Sequence, residues 1–192
     1  ALILIVGYSG TLFHWNRYFI QQLAKSFTVY MIDNRKVGLS DSNNEHSLLG
    51  MAQDVVDFIE AKKLKSIYLF GWSMGGMISQ TLLKNFKDYF LGAVLLATIP
   101  HGRFVDEGFV NLIANSEHIP AHEFRQQLYA KFFSEAPREE LKEFITEAAV
   151  EIKGYHYRYN FEAKEFQDYA VAKWDGLNES DLAAIAVPVL LL

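Results

Sequence analysis

Five short apolar runs, separated by stretches with helical spacing, constrain the fold of this chain more than any other feature. The runs occupy residues 2–6, 27–32, 67–70, 93–97 and 187–192. Between the second and third runs, residues 52–60 place apolar side chains on one side of a predicted helix, with Asp54, Asp57 and Glu60 on the solvent side. A strand buried on both faces of a parallel sheet has such a continuous apolar composition. The alternation therefore predicts an α/β fold with a doubly wound, mostly parallel sheet.

The alternation stops between residues 104 and 180, where helical patterns replace strands. Apolar residues recur at helical spacing over residues 124–132 and 141–148, and aromatic residues are dense over residues 155–174. An insertion of this length is too long for an ordinary crossover connection. The sequence thus predicts a sheet core at residues 1–103 and 181–192, and a helical cap at residues 104–180.

The segment Gly-Trp-Ser-Met-Gly-Gly at residues 71–76 lies between the third apolar run and a predicted helix over residues 74–85. Gly-x-Ser-x-Gly at such a junction is typical of a nucleophile elbow, a sharp turn that lifts the serine hydroxyl above the sheet. Side chains at Gly71 and Gly75 would collide in this turn. The helix that follows points its first amides at the serine, which favours a developing negative charge there. Ser73 is therefore a candidate nucleophile, and a plain glycine-rich turn is the alternative.

Composition and charge exclude several classes of function. The chain has 192 residues, 18 Lys and Arg against 23 Asp and Glu, a net charge of −5, and no cysteine. A surface that binds phosphates needs the opposite charge, so we expect no nucleic-acid partner. Without cysteine, the chain can form neither disulfides nor thiolate metal sites. No set of Asp, Glu and His residues has the spacing of metal ligands. No apolar run reaches the ~20 residues that span a bilayer. We expect no metal and no membrane span, and a cysteine-free chain fits the reducing cytoplasm.

Three loops extend the pattern around the elbow. Gly-Tyr-Ser-Gly at residues 7–10 follows the first apolar run, and Asp-Asn-Arg-Lys-Val-Gly-Leu-Ser at residues 33–40 follows the second. Residues 181–190 lead into the last run. With the elbow, these segments resemble the α/β-hydrolase family over essentially the whole chain. Val6 stands where that family usually has His, and Lys36 stands where it usually has Gly after the Arg.

The resemblance implies roles for individual residues. It makes Ser73 the nucleophile and gives the oxyanion hole to the backbone N–H groups of Met74 and Tyr8. It also makes Gly7, Trp72 and His101 candidates for substrate contact. His101 follows the fourth apolar run, on the expected side of the sheet, although a loop role is the alternative. The family needs no metal or organic cofactor for this chemistry.

The resemblance also implies that part of the catalytic machinery is absent from these 192 residues. The family order is Ser, then Asp or Glu, then His, with the acid after the strand that follows the cap. The chain ends at Leu192, within that strand, and begins inside another. We therefore expect a piece of a longer protein, lacking its first strands and the acid and His segment, and close to inert. Asp106 is a weaker candidate for the acid, and His156 is expected to pack in the cap.

The predicted reaction is hydrolysis of a carboxylic ester, thioester or related carbonyl substrate through an acyl-serine intermediate. The partner is a small acyl substrate. Lactone hydrolysis, carbon–carbon bond hydrolysis and acyl transfer stay open, because these reactions share the elbow. Serine at the elbow argues against haloalkane dehalogenase and epoxide hydrolase chemistry, for which the family uses Asp. A non-catalytic ligand-binding or interaction protein on the same scaffold is the alternative from another class.

Overall fold

The computed structural model describes residues 1–41, 46–104, 106–132 and 161–192. Five strands form one sheet in which every neighbouring pair is parallel, in the order β2-β1-β3-β4-β5. The strands are β1 (Leu2–Ile5), β2 (Val29–Ile32), β3 (Ile67–Trp72), β4 (Phe90–Leu96) and β5 (Val189–Leu191). All five predicted runs therefore contain strands, and the predicted doubly wound parallel sheet is confirmed.

Seven α-helices lie in the described residues. They are α1 (Arg17–Leu23), α2 (Leu48–Ala61), α3 (Met74–Asn85), α4 (Glu107–Ala114), α5 (Ala121–Phe132), α6 (Phe161–Ala172) and α7 (Glu179–Ala183). Helix α3 has the bounds that the sequence predicts. Helix α2 begins after Ser47, whose side chain accepts a hydrogen bond from the Gly50 amide and so caps the helix.

The sheet is covered on both faces, as a doubly wound fold requires. Ile3 and Ile5 of β1 belong to a core cluster that includes the buried faces of α2 and α3. Leu2 and Leu4 belong to a second cluster, which contains Trp15 and is covered by apolar residues of α1. Because successive side chains of a strand point to opposite faces, β1 supplies both clusters and is completely buried. This explains the continuous apolar run at the start of the sequence.

The loop after β2 is tied to α2 by an ion pair that the sequence did not indicate. Asp54 was expected on the solvent side of its helix, but its carboxylate accepts a hydrogen bond of 2.6 Å from Arg35 Nε. The Arg35 side chain is only 1% exposed, and its guanidinium also donates to the Gly50 carbonyl. Amphipathic spacing places Asp54 on the helix surface but does not show that another loop covers that surface. The acidic side of α2 is therefore only partly solvated.

The described residues between β4 and β5 contain the helices α4, α5, α6 and α7. The predicted helical pattern at residues 124–132 lies within α5. The predicted helix at residues 141–148, the aromatic segment at residues 155–159 and His156 lie outside the described residues. The division into a core and a cap stays a prediction. In the part of the chain that is described, no helix combines the length and apolar character needed to cross a bilayer.

Candidate active site

Ser73 occupies the junction between β3 and α3 in a backbone conformation that few residues adopt. Its φ is 55° and its ψ is −120°. A positive φ is costly for a residue with a side chain and persists only where the surrounding structure enforces it. The Ser73 amide donates to the Leu96 carbonyl at 2.9 Å, and the Ser73 carbonyl accepts from the Gly76 and Met77 amides at 2.8 and 3.3 Å. These bonds hold the strained turn that the sequence predicts.

The elbow glycines leave no room for side chains. A Cβ on Gly71 would lie 2.5 Å from the Gly75 carbonyl oxygen. A Cβ on Gly75 would lie 2.6 Å from the Ile5 carbonyl carbon and 2.8 Å from the Val6 carbonyl oxygen. These neighbours are backbone atoms, which cannot rotate away. The Gly-x-Ser-x-Gly pattern is therefore a packing requirement at this junction.

Thr98 contacts the elbow from the end of β4. Its hydroxyl donates to the Ser73 carbonyl at 2.8 Å. A Cβ on Gly76 would lie 2.5 Å from the Thr98 Cβ, so Gly76 allows Thr98 to approach the turn. Sequence reasoning assigned no role to Thr98. Its position directly after a strand, at the edge where the elbow lies, was the available signal.

Ser73 opens onto a cavity of about 520 Å³ that also has Tyr8 and Met74 in its wall. Other lining residues are mostly apolar and include Met77, Ile99, Phe104, Phe109 and Val171. Within the described residues, the Ser73 hydroxyl does not cap α3 and has no hydrogen-bond partner. The Met74 amide, the first of α3, has no acceptor there either. A hydroxyl and an amide donor without partners thus belong to two consecutive residues that line a mainly apolar cavity.

The loop after β1 lies directly against the elbow. A Cβ on Gly7 would lie 3.0 Å from the Ser73 Cβ and 3.5 Å from its Oγ, so glycine permits this approach. Val6, at the family's usual His position, is fully buried, and its carbonyl accepts from Asn34 Nδ2 at 3.0 Å. The structure therefore brings together three predicted site residues, Ser73, Met74 and Tyr8, with Gly7 beside them.

Trp72 and His101 differ from these residues in their relation to the cavity, although Trp72 directly precedes Ser73 in the chain. Neither residue is part of the cavity wall. Trp72 packs edge to face on Trp15 with ring centroids 5.9 Å apart, against the core cluster that α1 covers. His101 Nδ1 accepts a hydrogen bond of 3.0 Å from the Arg103 amide. Their predicted substrate contacts stay predictions.

His14, His46, His101 and His118 are not part of the cavity wall. Burial lowers the pKa of His14, and its Nδ1 accepts from the Thr11 amide at 2.9 Å, so the ring is neutral and already engaged. His46 packs on Phe166 with ring centroids 4.4 Å apart. A base for Ser73 is therefore absent from the described part of the cavity wall.

The charged side chains in the described part of the cavity wall are those of Asp106 and Lys131. They form a salt bridge of 2.7 Å between Lys131 Nζ and Asp106 Oδ1. The hydrogen bond from Lys131 holds the pKa of the Asp106 carboxyl below its usual value, and a bond from the Phe109 amide acts in the same direction. An ionised carboxylate that already accepts two hydrogen bonds is a weak proton acceptor. The described residues contain no group of three His, Cys, Asp or Glu side chains that could hold a metal ion.

Comparisons with known proteins agree with this geometry. A family model described as alpha/beta hydrolase fold matches residues 1–141. The esterase YbfF of Escherichia coli (strain K12) is 26% identical over 190 residues, which cover 97% of this chain and 72% of that protein. An alpha/beta hydrolase fold protein from Chitinophaga pinensis has a TM-score of 0.81 at 24% identity, covering 99% of this chain and 69% of that one.

The enol-lactonase from Burkholderia xenovorans LB400 has a TM-score of 0.75 at 19% identity, covering 99% of this chain and 70% of that one. At these identities the two solved structures support the fold alone. The family model spans most of the chain and includes the elbow and the loop after β1. The chain therefore belongs to the alpha/beta hydrolase fold family and is a hydrolase.

Proposed function

We propose that the protein is a serine hydrolase of carboxylic esters, thioesters or related carbonyl compounds. The observation that carries the proposal is the Ser73 hydroxyl, which stands at a strained turn and opens onto a mainly apolar cavity beside the Met74 amide. The names of two relatives, an esterase and an enol-lactonase, favour substrates with an ester linkage. The cavity is large enough for a small acyl group.

The proposed reaction proceeds through an acyl-Ser73 intermediate. Ser73 Oγ attacks the carbonyl carbon while its proton passes to a base. The tetrahedral oxyanion then accepts hydrogen bonds from the backbone amides of Met74 and Tyr8, and the alcohol or thiol leaves with a proton. Water attacks the acyl-Ser73 carbonyl, and the acid is released. No metal or organic cofactor takes part in this scheme.

We propose that the helices between β4 and β5 form a cap that shapes the substrate site. Phe109 of α4, Lys131 of α5 and Val171 of α6 contribute to the wall of the cavity that Ser73 also lines. These residues come from the insertion, whereas Ser73 and Met74 come from the core. Acyl specificity would then depend on the cap and the nucleophile on the sheet.

We also propose that the 192-residue chain turns over esters very slowly. The proposal is supported by the position of His14, His46, His101 and His118, none of which lines the cavity where Ser73 would need its base. Loss of triad members costs on the order of 10⁴ to 10⁶ in rate. A non-catalytic ligand-binding protein is the second candidate, and the same observation favours it.

Ester turnover by the purified chain and by Ser73→Ala tests the low activity. We expect both proteins to hydrolyse a small chromogenic ester at nearly equal, low rates. Robust turnover that disappears in Ser73→Ala would contradict the missing base while supporting Ser73 as the nucleophile. Binding of an ester at the cavity without any acylation of Ser73 would favour the ligand-binding candidate.

A further inference from the structure

We propose that Gln167 and Asp168 of α6 are positioning residues that fix the loop after β1, and through it the oxyanion-hole amide of Tyr8. This inference rests on the proposed function. Gln167 Oε1 accepts a hydrogen bond of 2.7 Å from the Ser9 amide. On the next residue of the helix, Asp168 Oδ1 accepts one of 2.5 Å from the Tyr8 hydroxyl. Two consecutive residues of α6 therefore hold two consecutive residues of the loop.

The loop needs this support because its own conformation is strained. Ser9 has a φ of 53°, in the left-handed region that favours glycine. Val6 replaces the His that is usual in the family and carries no side-chain donor or acceptor. The contacts from α6 supply hydrogen bonds that hold the loop against the elbow, where Gly7 lies beside Ser73.

A buried glutamine is unusual unless its side chain makes a stabilising hydrogen bond. Its side chain is 0% exposed, and its Nε2 has no hydrogen-bond partner among the described residues. A buried amide nitrogen without a partner destabilises a protein, and an apolar side chain of similar size would avoid that loss. The gain from Gln167 is therefore the bond to the Ser9 amide, which an apolar residue could not make.

Asp168 is held in place from the same helix. Lys164, one turn earlier and only 8% exposed, donates to Asp168 Oδ2 at 2.9 Å. One carboxylate oxygen therefore faces Lys164 and the other faces the Tyr8 hydroxyl. With Lys164 fixing the carboxylate, the Tyr8 ring and the backbone beneath it are restrained relative to α6.

Amide hydrogen exchange and the rate of Ser73 labelling by a fluorophosphonate probe test the proposal on the whole chain. In Gln167→Met, we expect the Ser9 amide to exchange about tenfold faster and Ser73 to be labelled about tenfold more slowly, because a misplaced donor stabilises the oxyanion poorly. Tyr8→Phe, which keeps the backbone amide but loses the hydroxyl, should also slow labelling.

Asp181→Asn is the matched control, because it weakens a carboxylate contact of 2.7 Å to Lys84 that involves neither the loop nor α6. It should leave both readouts unchanged, and protected β1 amides will show that each variant is folded. Unchanged Ser9 exchange in Gln167→Met would overturn the proposal. Faster exchange with unchanged labelling would overturn it as well. If the wild type is not labelled at Ser73, the proposed function fails, and Ser9 exchange alone then decides whether α6 holds the loop.

Discussion

The residues of the elbow follow from the sequence because each obeys a local steric rule. Gly71, Ser73 and Gly75 are spaced as a strained strand-to-helix turn requires, and the turn is present. Thr98 and Gln167 contact the same site but lie 25 residues beyond Ser73 and 158 residues beyond Ser9 in sequence. Thr98 is distinguished only by its position directly after a strand at the edge where the elbow lies, and Gln167 has no local pattern that distinguishes it from other polar residues. Their contacts depend on the tertiary fold and could not be predicted.

Gly75→Ala is expected to destabilise the protein by about 3 kcal/mol, since overpacking against rigid backbone is costly. The new methyl would lie 2.6 Å from the Ile5 carbonyl carbon. Gly102→Ala is the control, because its Cβ would have its nearest neighbour at 3.1 Å. Urea unfolding gives the free energy of unfolding of both variants. A loss for Gly75→Ala no larger than that for Gly102→Ala would contradict the close approach of α3 to β1.

Thr98→Val is expected to cost about 1 kcal/mol in stability, the value of one hydrogen bond, and to slow the labelling of Ser73 several-fold. Thr81→Val is matched, because the Thr81 hydroxyl also donates to a backbone carbonyl, at 2.9 Å within α3. It should lose similar stability without any change in labelling. Equal labelling rates for the two variants would show that Thr98 does not position the elbow.

His14 should make stability fall in mildly acidic solution. Burial lowers its pKa below the usual 6.5, and the Thr11 hydrogen bond and the charge of Asp33 offset only part of this shift. The unfolded chain therefore binds the proton first, so the stabilisation is complete above pH 6.5 and is lost as the pH falls towards the folded pKa. The free energy of unfolding can be measured with urea at about pH 7.5 and at about pH 5.5. It should decrease more between these two pH values for the wild type than for His14→Gln. A ring that titrates at or above its usual pKa by NMR would contradict this.

At the scale of elements, hydrophobic patterns locate helices and strands well and their ends less well. Strand β3 continues through Gly71 and Trp72, which pair with Leu95 and Leu96, beyond the apolar run that predicted it. Hydrogen bonds with β4 extend β3 by these two residues. The pattern of apolar residues along the sequence does not report hydrogen bonds between strands. The Arg35–Asp54 pair shows the same limit, because it depends on where α2 lies relative to the loop after β2.

Asp54→Asn is expected to destabilise the protein by about 2 kcal/mol, since it removes the charge of the carboxylate that pairs with the buried Arg35 guanidinium. The Asp54 side chain is 25% exposed, which keeps the cost below that of a fully buried pair. Asp57→Asn, on the exposed part of the same helix, should change stability by no more than about 0.5 kcal/mol. Urea unfolding at neutral pH compares them, and equal effects would show that the ion pair contributes no stability.

At the scale of the whole molecule, the strand order follows from the sequence because alternating strands and helices permit few topologies. The elbow then lies after β3, at the centre of the order β2-β1-β3-β4-β5. The packing of α6 on the loop after β1 is a different kind of property. It joins parts of the chain about 160 residues apart through particular hydrogen bonds, and no periodicity predicts such pairs.

The central claim is that Ser73 is the nucleophile, and the most direct measurement is the site at which a fluorophosphonate attaches to the whole chain. Peptide mass spectrometry after prolonged incubation should find the adduct on Ser73 and on no other serine, and Ser73→Ala should remain unmodified. Attachment at Ser9 or Ser40 instead, or equal modification of wild type and Ser73→Ala, would contradict the account.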